Sequence, residues 1–285
     1  MHARSHSTTV CIVLACYGCA RVLQVLHGPP PTLSLVAAEV VAARAFAVVD
    51  GSRNLGGVGI LVFAAICAVV GNVMENIGLA TGFPYGHYRF LEVMGPRLFE
   101  VPVLLGLAYV GMAYVSWTLA WFLFSDAPRG PAIRFLALPF TASAIMVAWD
   151  VAQDPVWSTV LHAWVWRDGG SWFGVPLSNY FGWFLTVFLI FVLFAAFEQR
   201  RGPDRTMSAW PSLALYSLCA AGNVLQLLTR SYAPVSVDPS GAAWRTVNIF
   251  AASAAVSIFV MGSFVALAAV RLLACAARQS ATATD

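Results

Sequence analysis

The sequence predicts an all-α fold: a polytopic integral membrane helix bundle of about eight transmembrane helices, with seven as the alternative count. Three observations predict it. Hydrophobic residues make up 60% of the 285 positions and charged residues only 10%, where an ordinary soluble domain carries roughly 25% charge; mean hydropathy is +0.77. The uncharged runs 101–125, 169–197, 206–229 and 246–270 each supply the roughly 20 residues that a hydrocarbon core demands. The 16 basic residues are all arginines, and their density alternates between successive loops, the pattern of loops on alternate sides of a bilayer.

The first span covers 8–26. Its leading Arg4 and the string VLAC at 13–16 give it some likeness to a secretory or lipoprotein signal, but the spans behind it favour an uncleaved helix. Interrupted runs at 33–49 and 55–80 supply the second and third spans, and 101–125 the fourth. The fifth, 133–151, leads into AWDVAQDP, where Pro155 is expected to stop the helix. The last three uncharged runs complete the count. Residues 1–278 are expected to form one transmembrane domain, with a motif core at 71–183, and 279–285 a disordered tail.

With a cytoplasmic N-terminus, the inside segments hold Arg4, Arg53, Arg129, Arg134, Arg200, Arg201, Arg205, Arg271 and Arg278, and the outside ones Arg89, Arg97, Arg167, Arg230 and Arg245. The excess places both termini in the cytoplasm of a multi-pass cell-membrane protein. The longer loops, 81–99, 152–178 and 231–245, then share the outer face, where irregular backbone can close over a pocket at membrane depth. Basic and aromatic residues do not interleave as in nucleic-acid binders, so the expected partners are the lipid bilayer and a hydrophobic small molecule. Cys16 and Cys19 form a C-x-x-C with no second pair. On a helix that spacing places two small residues on one face, and it is read as packing.

Polar groups are costly in such a chain, so their clusters matter most. Asn72, Glu75 and Asn76 share a stripe at the end of the third span. Glu75 could cap the helix or pair with Arg89 or Arg97. Alternatively it is a functional carboxylate, kept ionised by the two flanking amides. Asp150 and Asp154 stand four residues apart, where like charges repel, so one is expected to hold a proton or to be drawn off by a hydrogen bond. A carboxyl kept neutral is a proton donor. Around them lie Tyr85, His87, Tyr88 and Trp149, and the aromatic stretch from Trp164 through Trp166, Trp172, Phe173, Tyr180 and Phe181 to Trp183. Some of these rings suit an interfacial belt. Others suit a pocket wall, because aromatic faces attract cations and exclude water. Asn179 and Asn223 could orient a water or join helices.

No phosphate loop, H-E-x-x-H or G-x-S-x-G is present, the histidines are scattered, and there is no paired Asp-rich motif for magnesium. The residue-level reading is therefore acid–base chemistry in an apolar aromatic pocket, with no metal and no cofactor expected.

The strings ENIGLATGFPYGHY, GPRLFEVPVLLGLAYVGMAY, WDVAQDP and GGSWFGVPLSNYFGWF resemble, in order and spacing, the carotenoid biosynthesis membrane-protein family that includes carotenoid hydratases. The likeness covers Gly71 to Trp183, taking in Glu75, Asn76, Tyr88, Trp149, Asp150, Asp154, Phe173, Asn179 and Trp183. The chain departs from the pattern at Glu100, Leu91, Tyr109 and Val115. The resemblance implies hydration of a terminal trisubstituted alkene on an acyclic isoprenoid, beside other enzymes of the isoprenoid pathway.

The catalytic candidates are accordingly Asp150, Glu75 and Asp154. The substrate-binding candidates are Asn72, Asn76, Tyr85, His87, Tyr88, Trp149, Trp172, Phe173, Asn179 and Trp183. A terpene cyclase would share the protonation step and let an internal alkene capture the cation. A lipid or small-solute carrier is the non-enzymatic alternative, although no internal repeat supports it.

Overall fold

A computed structural model describes residues 2–27, 33–128, 130–201, 207–229 and 232–282. Arg129, Arg205 and Arg230, used above for orientation, and residues 283–285 of the expected tail lie outside the described residues. The last helix runs as far as Thr282.

The helices follow the apolar runs: α1 (His2–His27), α2 (Leu33–Asn54), α3 (Gly56–Thr81), α4 (Val103–Leu123), α5 (Leu138–Pro155), α6 (Leu177–Gln199) and α7 (Trp210–Thr229). Then α8 (Thr246–Val256) continues through a π-turn at Ser257–Met261 into α9 (Gly262–Thr282), forming one rod. Among the described residues, seven of the resulting eight rods are long and apolar enough to cross a membrane. The eighth, α2, carries Glu39, Arg44, Asp50 and Arg53, which accounts for both counts anticipated from the sequence. α4 is the central helix. Every side chain from Tyr109 to Ala120 is buried, as expected of a helix apolar all round, and α2, α3, α5, α7 and α9 surround it.

Two helix boundaries differ from expectation. Pro155 does not stop α5, because a π-turn at Val156–Val160 follows it directly. The wider turn fits a residue that donates no backbone hydrogen, and it leaves Asp154 inside the rod instead of at its end. The run beginning at 169 becomes helical only at Leu177, after the extended Pro176. Residues 169–176 fold back tightly, and a Cβ at Gly170 would lie 2.0 Å from the carbonyl carbon of Val175.

The long loops meet at one end of the bundle. β1 (Tyr88–Phe90) pairs antiparallel with β4 (Trp164–Trp166), joining the α3–α4 and α5–α6 loops. β2 (Arg97–Leu98) pairs with β3 (Val101–Pro102), and β5 (Val235–Val237) with β6 (Ala243–Arg245). The third loop joins them through Phe173 and Trp244, whose ring centroids are 5.4 Å apart. Asp238 pins that loop: its Oδ1 accepts from the Ser240 and Ala242 amides and the Ser240 hydroxyl, and its Oδ2 from the Trp244 indole. At the opposite end, Arg201 after α6 bonds the Leu55 carbonyl between α2 and α3, and Arg271 of α9 pairs with Asp126 at 2.9 Å.

Candidate active site

Beneath the joined loops lies a cavity of about 120 Å³, walled by α2, α4, α5 and α6 and by rings from both loops. It reaches Glu75, Asp150 and Asp154, each at most 6% exposed. Each carboxyl is held differently, and the local sequence explains how.

Glu75 comes from the last turns of α3, which ends at Gly82 in the left-handed conformation (φ 77°), its amide bonding Gly78 O. The released chain returns as β1, and the Tyr88 hydroxyl donates to Glu75 Oε2 at 2.5 Å. The Tyr109 hydroxyl, from α4, donates to Oε1 at 2.8 Å, while its ring stacks on Trp183 at 4.5 Å and 3°. Burial, reinforced by the Glu75 carboxylate beside it, pushes the Tyr88 phenol well above its usual value, so it remains a donor. The expected amide partners are a correction. Asn76 bonds the carbonyl and side chain of Asn72, one turn away on the same helix, and neither amide touches Glu75. Nor, among the described residues, does an arginine pair with it: Arg97 bonds Phe90 O and faces Glu100.

Asp154 is bonded on both oxygens. Trp164 Nε1 of β4 donates to Oδ1 at 2.6 Å, and Asn179 Nδ2, in the first turn of α6, donates to Oδ2 at 2.5 Å. Asp150 lies one turn earlier on the same face and differs. Its Oδ2 is buried and has no hydrogen-bond partner among the described residues. Buried polar atoms are nearly always satisfied, so an unpartnered oxygen on a carboxyl that lines a cavity sets Asp150 apart from Glu75 and Asp154.

Rings supply the rest of the wall. Trp149 of α5 and Trp157 of the following π-turn line the cavity with Asp150, and Trp157 stacks on Trp164 at 6.3 Å. Tyr88 packs on Phe90 and Trp166. Tyr85 is slotted between Gly78 and Gly182, where an added Cβ would meet its ring at 2.5 and 2.6 Å, and its hydroxyl pairs with Thr186 at 2.6 Å. An apolar, low-dielectric enclosure strengthens every charge–dipole interaction inside it.

Of the sequence candidates, Glu75, Asp150, Asp154, Tyr85, Tyr88, Trp149, Asn179 and Trp183 line this cavity, while Asn72, Asn76, His87, Trp172 and Phe173 do not. His87 is exposed beside Asp168 at 3.3 Å. Trp172 bonds the Val151 carbonyl, and Phe173, at φ 52°, packs between Trp172 and Trp244 as part of the loop cap. The departures at Glu100 and Val115 fall outside the cavity, the first exposed and the second in the core. Tyr109, Tyr17, Glu39, Gln153 and Trp157 were not among the sequence candidates; only the Tyr109 departure from the family pattern pointed toward one of them. Among the described residues no three His, Cys, Asp or Glu side chains come together as a metal site.

A polytopic helical membrane protein with an acidic, aromatic-walled cavity under a loop-built cap is the class that fold and site define. The chain belongs to the carotenoid biosynthesis protein family, whose model matches residues 31–239. It is 27% identical over 139 residues to a Haloarcula japonica protein named bisanhydrobacterioruberin hydratase, a match covering 48% of this chain and 45% of that relative. The chain thus aligns with less than half the length of that relative. No solved structure matches the chain.

Proposed function

We propose that this protein is a cofactor-independent hydratase that adds water across the terminal trisubstituted alkene of an acyclic carotenoid or related isoprenoid. The observation that carries the reading is the asymmetry of the three carboxyls: Asp150 lines the cavity and has a buried oxygen with no hydrogen-bond partner among the described residues, while Glu75 and Asp154 are each held by two donors. The family match and the hydratase relative support the same class of reaction.

In this mechanism Asp150 delivers its proton to the less substituted alkene carbon, and the π electrons form the new C–H bond. The resulting tertiary cation is held against Trp149, Trp157 and Trp183, whose ring faces attract positive charge. A water attacks the cation and forms the C–O bond, and its surplus proton passes to Glu75, the base. Tyr88 and Tyr109 steady the Glu75 carboxylate before that transfer. Asp154, tethered by Trp164 and Asn179, fixes the loop and α6 against α5 and keeps negative charge beside the cation. Proton return from Glu75 to Asp150 through solvent restores the resting state, so the balance is alkene plus water to tertiary alcohol. The arginine bias further supports a cell-membrane protein with both termini cytoplasmic, working beside other isoprenoid-pathway enzymes.

Expression in cells that accumulate lycopene, followed by product mass analysis, tests the reading. A product heavier than substrate by one water is expected. An isomeric product would assign the cavity to cyclisation, and recovery of unchanged lycopene and shorter acyclic precursors alike would overturn the enzymatic assignment.

A further inference from the structure

Among the described residues, two side-chain amides line the cavity, those of Asn179 and Gln153. Asn179 is committed, because its Nδ2 bonds Asp154. Asn223, the second amide that the sequence offered for orienting a water, lies outside the cavity and is held by Arg21 and Ser257. Gln153 differs from both. Its backbone carbonyl accepts from the Val156 amide, but its side-chain amide has no hydrogen-bond partner among the described residues.

Its place on α5 is fixed by register. Trp149, Asp150, Gln153 and Asp154 stand at i, i+1, i+4 and i+5, which is one face of a helix, and all four line the cavity. Gln153 therefore follows the proton donor Asp150 by three residues and directly precedes Asp154, whose two oxygens are both occupied. An amide is costly on a wall made largely of rings and alkyl groups unless something bonds it. Half-buried Gln153 makes no such bond within the protein.

A water that attacks a carbocation turns a lone pair toward it, so both of its hydrogens point away and need acceptors. Glu75 receives one of them and, as the C–O bond forms, takes that proton. An amide oxygen suits the other, since it accepts hydrogen bonds and is too weak a base to compete for the proton. Resting on the hydratase reading, we propose that Gln153 positions the attacking water, its Oε1 accepting the hydrogen that Glu75 does not take. Gln153 is a positioning residue and exchanges no proton itself. It governs the fate of the cation, not its formation. A cation left without that water loses a proton from an adjacent carbon to Glu75, and the C–H electron pair closes an alkene again.

The test supplies an acyclic carotene in deuterium oxide to the purified full chain in detergent and quantifies two products, the tertiary alcohol and the alkene that carries carbon-bound deuterium. The second records cations that formed and escaped water. Gln153→Met keeps the side chain's size and removes the amide. It should lower the ratio of alcohol to deuterated alkene about fivefold to tenfold, the effect of one hydrogen bond on a rate. Gln153→Asn, which retains the amide on a shorter arm, should fall between. The ratio is taken within each sample, so any loss of folded protein cancels, and Gln153→Ala carries the same expectation should Gln153→Met fail to insert. An unchanged ratio, whether the two products persist or fall together, would overturn the proposal and leave Gln153 as part of the wall. The two readings fail separately. Alcohol from wild type with an unchanged ratio in Gln153→Met refutes the role of Gln153 alone, whereas deuterated product without alcohol from wild type refutes hydration and the positioned water with it.

Discussion

Asp50 and Asp150 are the same residue type at nearly the same burial, yet the protein surrounds them in opposite ways. Asp50, 1% exposed, lies toward the end of the bundle away from the loop cap. Its Oδ2 accepts from the Tyr114 hydroxyl at 2.6 Å and from Asn54 at 3.0 Å, and Asn54 reaches on to both backbone groups of Ser208. That cluster ties α2 and α4 to the segment before α7. Asp150, 6% exposed, lines a cavity among aromatic rings, and its buried Oδ2 has no hydrogen-bond partner among the described residues. Burial alone therefore does not separate the two aspartates; under the proposed mechanism the unfilled acceptor on a cavity-lining carboxyl does.

The sharpest way to break this comparison is to remove the titrating proton at each site. Asp150→Asn should cut alkene turnover by about a hundredfold to ten-thousandfold, the usual range for a general acid, while the melting temperature in detergent stays near wild type. Glu75→Gln should fall in the lower part of that range. Asp50→Ala should do the reverse. It strands the Tyr114 hydroxyl and the Asn54 amide, costing about 1–3 kcal/mol of stability, and leaves turnover per folded molecule unchanged. If Asp50→Ala proved catalytically dead at full stability, hydrogen-bond closure would not separate the two classes of carboxyl.

A smaller effect sharpens the account of the base. Tyr109→Phe removes one of the two hydroxyls on Glu75 and also a ring substituent above Trp183. The loss of one hydrogen bond to a charged group, about 1.5–3 kcal/mol, should lower turnover roughly tenfold to a hundredfold with little change in substrate binding. The smallest effect concerns the cap. Burial opposes the charge on Asp238, but hydrogen bonds from Ser240, Trp244 and Ala242 outweigh it and hold its carboxyl below the usual value. A lowered folded value means that Asp238 stabilises the loop at neutral pH, and that this contribution is lost as pH falls below about 4 toward the lowered value. Hydrogen exchange across 235–245 should accelerate over that acid range in wild type, and Asp238→Asn should remove the pH dependence.

The helices and the shared loop face could be read from the sequence because apolar runs are local signals and their count decides which loops fall on one side. The partners of each carboxyl could not, because they arrive from other elements. Asn72 and Asn76 share Glu75's helix face and were natural candidates, yet residues four apart bond each other as readily as a neighbour. The true donors, Tyr88 and Tyr109, come from a loop ribbon and from a helix whose unbroken apolar run gave Tyr109 no distinction. Trp164 reaches Asp154 only because β4 pairs with β1, a pairing that three-residue strands do not announce. Glu39 and Tyr17 lie before the motif core at 71–183 and reach the cavity wall only when α2 packs on α4 and α1 on α2. Pro155 misled for a different reason: proline usually ends a helix, and here a π-turn carries it onward.

The central claim is that the cavity protonates an alkene and adds water to the cation. It is tested most directly by supplying an acyclic carotene to the purified protein in heavy-oxygen water and, separately, in deuterium oxide. The account predicts a tertiary alcohol carrying a single solvent oxygen in the first experiment and a single carbon-bound deuterium in the second, both abolished in Asp150→Asn. A product with carbon-bound deuterium but no solvent oxygen would contradict hydration and point to intramolecular capture of the cation. Incorporation of both labels at the wild-type rate in Asp150→Asn would refute the role given to the open aspartate.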